Sequence, residues 1–340
     1  MNTNQTPSLQ DWKALYDAAI EFKNAAPWDW MHDTDIFGVQ DPVCGETGYC
    51  CIMGAAGEHY ALGVYSGSEG LEVLLRIQSG EFSQSHDEVL YVQKCLMASF
   101  EDRDYLQKED LKQIKTMGLK FRGANAWPFF RNYTPGLVPW YLTGEEARFL
   151  TLALQQAIEV SLRFRKDPML IHPSSGKFFV RAPVKQGEGI SWKDEWIEPL
   201  PPESKDFPAT SVDKTLLNRL KKAGLQQRGV WEVDFFFLPA PIWEKEKRPY
   251  YPYMSLLVEH NSAFILNFQL EKKEEFALKF PEKFISFLER VKIAPQVFLV
   301  KRDEVGRFLE PFASSLGIKI KMVESLPVLE EAQRSMRGFI

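Results

Sequence analysis

Along the first two hundred residues, helical spacing and strand-like alternation take turns. Leu9, Trp12, Leu15, Tyr16, Ala19 and Ile20 recur at helical intervals behind Ser8, with Asp11 as a capping-box partner, and Pro27 stops the run. Strand patterns at 36–39, 49–53 and 59–65, separated by turn formers, predict a small antiparallel sheet. Ser66 to Gly70 reads as an ordinary capped turn opening a helix through Ile77, and 85–97 fits either period. Lys108 to Thr116 is a charged helix. Residues 125–141, with Trp127-Pro128, Pro135-Gly136 and Pro139-Trp140, read as an irregular aromatic loop. Thr143 and Glu146 form a second capping box, ahead of the clearest helical stripe (Ala147, Leu150, Leu154, Ala157, Ile158, Leu162). A hairpin at 176–184 and 190–198 closes this part.

The rhythm then changes. Residues 199–208 are rich in proline and charge, and a short helix, 213–223, ends at Gly224. From Gly229 the pattern gives three strands in series (230–238, 253–258, 263–270), a helix carrying Phe280, Phe284, Phe287 and Leu288 with Pro281 near its start, and an unbroken apolar strand at 296–300. A helix face (Val305, Phe308, Leu309, Phe312), an alternating strand (318–322) and a last helix near Pro327 follow. The expected organisation is an α+β domain at 1–198, a linker with a short helix at 199–228, and a domain of order βββαβαβα at 229–340.

Composition narrows the function classes. The chain has 340 residues, enough for two or three domains, and its 25 Phe and 9 Trp promise well-filled cores. No apolar run approaches a membrane span, and the polar, uncharged N-terminus resembles no leader, so a cytoplasmic protein without membrane contact is expected. Cys44, Cys50, Cys51 and Cys95 form no metal-binding spacing and read as reduced thiols; on a strand, Cys50 and Cys51 point to opposite faces. Net charge is −5, and residues 229–340 balance at 16 basic and 16 acidic side chains, which does not support a nucleic-acid partner and favours a protein one.

One strand carries a chemical anomaly. In Val230-Trp231-Glu232-Val233-Asp234-Phe235-Phe236-Phe237, the odd positions from Trp231 to Phe237 are wholly apolar, whereas Glu232 and Asp234 share the other face. An acid on a central strand is costly unless paired, metal-bound or open to water. Glu232 is expected either at a solvent-facing sheet end or paired with Lys319 or Lys321.

The βββαβαβα order is that of the ribonuclease H-like α/β fold, with a mixed sheet. Val230 to Asp234, Leu257 to Ser262, Arg302 to Gly306 and Pro327 to Glu331 resemble segments of the catalytic core of retroviral integrases and related transposases. The resemblance implies that Asp234, Asp303 and Glu330 (or Glu331) are the catalytic acids, with Asp234 and Asp303 as ligands of Mg²⁺ or Mn²⁺. Glu304 and Val305 before Gly306 depart from that pattern. The whole chain is also similar to a group of two-domain bacterial proteins from which no activity carries over. Two readings remain open: a non-catalytic interaction or regulatory protein, with Trp127, Arg131 and Trp140 or the cleft between domains as its surface, and a metal-dependent nuclease or strand-transferase.

Overall fold

The computed structural model describes residues 6–82, 86–172, 176–187, 189–201 and 214–337. It divides into two compact units, Met1–Pro135 with Pro139–Glu203, and Gly136–Val138 with Ser204–Ile340.

The first unit contains, in chain order, α1 (Leu9–Ala25), β1 (Phe37–Gln40), β2 (Thr47–Met53), β3 (Tyr60–Ser66), α2 (Gly67–Gln78), α3 (His86–Val92), β4 (Cys95–Glu101), α4 (Lys108–Thr116), β5 (Trp127–Tyr133), α5 (Gly144–Phe164), β6 (Phe178–Gln186) and β7 (Gly189–Ile197). Both capping boxes form: Ser8 with Asp11 opens α1, and Thr143 with Glu146 opens α5. The sheet is not the small antiparallel one expected. It has seven strands in the order β5-β4-β3-β2-β1-β6-β7, antiparallel throughout except where β1 takes β6 in parallel. That pairing joins segments some 140 positions apart and leaves no local signature. The stretch 85–97, which fits either period, holds α3 and the start of β4; six of the seven residues of β4 are buried, which erases alternation there.

Both faces of this sheet are covered. The larger core gathers α1 and α5 residues such as Leu15, Phe22, Leu150 and Leu154 with Phe37, Cys50 and Ile52, whereas Cys51, Tyr65 and Cys95 pack with Leu71 and Leu74 of α2. Cys50 and Cys51 thus lie on opposite faces, as the strand reading requires. Burial pushes the Cys51 thiol up to about 12, so it packs as a small apolar group.

The second unit contains α6 (Lys214–Lys222), β8 (Gln226–Gln227), β9 (Val230–Phe237), β10 (Tyr253–Glu259), β11 (Ile265–Glu271), α7 (Lys273–Val291), β12 (Ile293–Ala294), β13 (Val297–Val300), α8 (Asp303–Leu316), β14 (Lys319–Met322) and α9 (Pro327–Arg337). Of the proline-rich stretch, residues 202–213 lie outside the described residues. Leu220 of α6 is fully buried in this unit's core. The five-stranded sheet has the order β11-β10-β9-β13-β14; β9, β10 and β11 run antiparallel, and β13 and β14 run parallel to β9. β8 and β12 form a separate two-residue parallel pair.

One face of β9 meets α7 and α8 through Trp231, Val233 and Phe235, among the rings of Phe276, Phe280 and Phe308. The other face lies under α9, with Met254, Leu256, Val258, Leu326 and Leu329 as its buried residues. α7 begins two turns earlier than Pro281 would suggest. A proline inside a helix loses one hydrogen bond and crowds the preceding turn, yet Phe276, Phe280, Pro281 and Phe284 are all buried here, and that packing carries the helix through. Among the described residues, no helix is long and apolar enough to cross a membrane.

Candidate functional site

The two acids of β9 meet different fates. Glu232 is neither at an open sheet end nor paired with Lys319 or Lys321: its side chain is 0% exposed. One carboxylate oxygen lies 2.6 Å from His260 Nδ1, at the β10–β11 turn, and the other accepts from the Leu329 backbone N–H at 2.7 Å, in the first turn of α9. A helix start carries unsatisfied N–H groups and a partial positive charge, so a strand-borne carboxylate satisfies both. Glu232 therefore ties the hairpin turn and the last helix to the central strand.

Asp234 is 16% exposed and is engaged by Arg302, whose Nη2 and Nε donate to the same carboxylate oxygen at 2.6 and 3.1 Å. The local register explains the encounter. β13 pairs with β9 only as far as Leu299 opposite Glu232, so the flank of β9 at Asp234 has no strand beside it. Arg302, two residues past the end of β13, fills that place and also donates to the Phe235 carbonyl, a backbone acceptor beyond the end of the ladder. Its Nη1 donates to Glu304 at 2.7 Å. Desolvation opposes the guanidinium charge, but Asp234, with Tyr253 and Glu304, outweighs it and holds the Arg302 pKa above its ordinary range.

Beside this group, Tyr253 is buried and Lys273, at the first position of α7, places its ammonium 3.9 Å from the centre of the Tyr253 ring. Burial lowers the Lys273 pKa to about 8; Glu304 works against that shift and Arg302 adds to it.

The other expected acids are held elsewhere. Asp303 stands at the exposed start of α8, 75% exposed and 3.0 Å from Arg307 one turn on. Glu330 pairs with Lys301 at 3.3 Å, and Glu331 with Arg334 at 2.5 Å. The structure thus joins Asp234 to Arg302 and Glu304, and joins Asp303 and Glu330 to basic partners of their own. Among the described residues, no group of three or more His, Cys, Asp or Glu side chains could hold a metal ion.

The aromatic stretch is ordered differently from the loop expected. Its first half is β5, the edge strand of the larger sheet. Arg131 is 3% exposed, forms a two-pronged bond to Asp110 (2.7 and 2.9 Å), and lies 3.8 and 4.6 Å from the centres of the Phe129 and Tyr141 rings. Trp127 packs on the core edge to face with Phe121, and Trp140 meets Tyr141. The cation over an aromatic face is present, as a buried internal contact.

The residues that sequence reasoning passed over are Arg302 and Lys273. A signal for the second existed: lysines at 272 and 273 open a helix, where the backbone dipole favours acids.

Two family models match the chain. Residues 216–337 match a domain of unknown function (DUF6930), and residues 12–181 match another (DUF7309). No curated protein matches. Because the second of these models spans half of the 340 residues, the chain belongs to the family described as domain of unknown function DUF7309.

Proposed function

We propose that the second unit is a ribonuclease H-like domain without metal-dependent chemistry, serving as a protein-interaction module. Three antiparallel strands followed by two parallel crossovers, with β9 central, support the fold analogy. The single observation behind the non-catalytic reading is the Arg302 guanidinium on Asp234. A divalent ion at that carboxylate would meet a fixed positive charge in a partly desolvated setting, where like-charge repulsion is strong. The chemistry implied by the integrase resemblance needs acids free to converge on metal, and here Asp234, Asp303 and Glu330 each have a basic partner.

The surface available to a partner is the outer edge of the sheet. Among the described residues β11 pairs on one side only, and Phe264, just before it, and Ile265, Phe268 and Leu270, along it, are exposed. From Ala263 to Leu270 there is no ionisable side chain, so the complement is an uncharged apolar strand of a protein rather than a nucleic-acid backbone.

Calorimetric titration with Mn²⁺ tests the reading. The expected result is no saturable binding in either the parent or Asp234→Asn, together with no Mg²⁺- or Mn²⁺-dependent cleavage of an oligonucleotide. One-site Mn²⁺ binding by the parent that disappears in Asp234→Asn would overturn it in favour of the nuclease.

A further inference from the structure

Among the described residues, four strands form the outer edges of the two large sheets: β5 and β7 of one, β11 and β14 of the other. An edge strand offers unpaired N–H and C=O groups to any other chain, and charge, proline or a covering segment normally blunts it. Three of these edges are blunted. β5 carries Pro128, and its Asn132 is bridged to Trp140. β7 has Lys193, Asp194 and Glu195 in a row, and β14 has Lys319 and Lys321. The β11 edge differs. From Ala263 to Leu270 it holds no ionisable side chain and no proline. Glu271, which closes the strand, is 8% exposed and paired with Lys279 and Lys283.

The side chains along this edge divide by face. Phe268 stands opposite Leu256 and Leu270 opposite Met254, so both lie on the face where α9 packs, yet they are 56% and 41% exposed. On the other face, Asn267 stands opposite Leu257 and Gln269 opposite Ser255. Gln269 is buried, and among the described residues neither its Oε1 nor its Nε2 has a hydrogen-bond partner. The Ser255 Oγ across from it is unpaired as well. Buried polar groups are nearly always hydrogen-bonded. The vacant place from which a partner for Gln269 would come is a further strand beside β11, bearing a polar side chain on the same face.

We propose that β11 pairs with β11 of a second copy of this chain, antiparallel about a two-fold axis at Phe268, joining the two five-stranded sheets edge to edge. The inference rests on the reading of this edge as the interaction surface, and names its occupant. Antiparallel pairing of a strand with itself is isologous, so residues near the axis meet themselves or close neighbours. A charge there would face its own copy, and an uncharged run is what such a pairing requires. Phe268 is the middle residue of β11, so an axis there pairs the whole strand. It brings the two exposed Phe268 rings together on the α9 face. On the opposite face it sets Gln269 of each copy against Asn267 of the other. These are two primary amides, each with donors and an acceptor to exchange. The buried Gln269 amide thereby gains the partner that its own sheet does not supply.

Sedimentation equilibrium of the full chain tests the pairing. A monomer–dimer equilibrium is expected, and Phe268→Lys, which sets two ammonium groups against each other at the axis, should weaken it by about tenfold or more. Phe268 is more than half exposed, so the substitution spares the core. Met322→Lys adds the same charge at a half-exposed position of β14 and should leave the dimer unchanged. Cysteine substitution in a Cys44→Ser background, Cys44 being exposed, reads the register. Phe268→Cys should give a disulfide-linked dimer under mild oxidation, because Cα atoms paired across strands lie about 4.5–5.5 Å apart. Phe264→Cys should not, since four residues on each side of the axis separate its copies by about 27 Å. A dimer indifferent to Phe268→Lys, or weakened equally by Met322→Lys, would overturn the proposal, as would crosslinking at Phe264 but not at Phe268. A parent that stays monomeric would overturn it in favour of a strand from another protein, and leaves the non-catalytic reading in place. One-site Mn²⁺ binding lost in Asp234→Asn would instead remove that reading, whatever the oligomeric state.

Discussion

On the seven-stranded sheet, the charged side chains taken out of water are arginines, and each meets acids from another element of its own unit. Arg131 grips Asp110 between two rings. Arg181 donates to Gln156 at 2.9 Å and pairs with Glu159 and Asp194. On the five-stranded sheet the charges drawn inward from β9 are carboxylates, Glu232 and Asp234, held by a backbone N–H, a histidine and an arginine. The arginines of the first sheet sit in closed networks, which stabilise and leave little for a ligand to do. The second unit also answers its acids, and it draws a lysine, Lys273, over the ring of the buried Tyr253. In both units a charge taken out of water is answered by a group far away in sequence, so the difference lies in which sign each sheet buries.

The largest expected effect tests the closed half of this contrast. Arg131→Met strands the Asp110 carboxylate at an 11% exposed position and should cost about 3–5 kcal/mol in urea-induced unfolding. A loss no larger than that of an ordinary surface substitution would show that the pair is not a structural tie. Next comes Glu232→Gln, which keeps the shape but gives up the charge-assisted bonds to Leu329 N–H and His260; about 2 kcal/mol should go. Amide hydrogen exchange should speed up in α9 before α7. Uniform acceleration would mean that Glu232 does not specifically anchor the last helix.

A last effect, no larger than that of Glu232→Gln, has the opposite sign and concerns the lysine beside Tyr253. The Lys273 pKa in the folded chain, about 8, lies below the value of about 10.4 for an unfolded lysine. Below pH 8 both states carry the proton, so the folded state bears the full cost of the buried charge. Between pH 8 and about 10.4 the folded state sheds the proton first and gains stability as pH rises. Glu304, Arg302 and Glu274 act on its charge, Lys247, Arg248 and Lys272 line one small cavity with it, and all are common to both proteins. Lys273→Met should therefore be more stable than the parent at pH 7, on the order of 2 kcal/mol, with the gain fading to nothing near pH 10.5. A destabilised variant at pH 7 would place Lys273 among the structural cations instead.

Much of the architecture was legible because it is locally encoded. Capping boxes, turn formers and the two apolar periods name α1, α4, α5, α9 and most of the strands to within a few residues, but not β4, β5, β8 or β12. The alternation in Val230–Phe237 separated a wholly apolar face from an acidic one, and the structure keeps that division. The ambiguous stretch at 85–97 holds a short helix, α3, and the first residues of β4, a strand so buried that alternation has little to record. The start of α7 was misplaced because the effect of Pro281 on a helix depends on what packs around it.

The candidate site was less legible. Asp234 stood out as a charge in an apolar strand, but nothing nearby in the chain named its partner, since Arg302 is 68 residues away and reaches it only because β13 stops short. Lys247, Arg248, Lys272 and Lys273 are dispersed among ordinary surface charges until the β9–β10 connection and the start of α7 fold around one cavity. By itself, then, the sequence determined the elements, their order and the positions where a charge demanded an answer, because dihedral preference and periodic burial act over a few residues. Which groups supply the answer was decided only in the tertiary structure. Coulombic pairing depends on distance in space, and distance in space is set by strand register, not by separation along the chain.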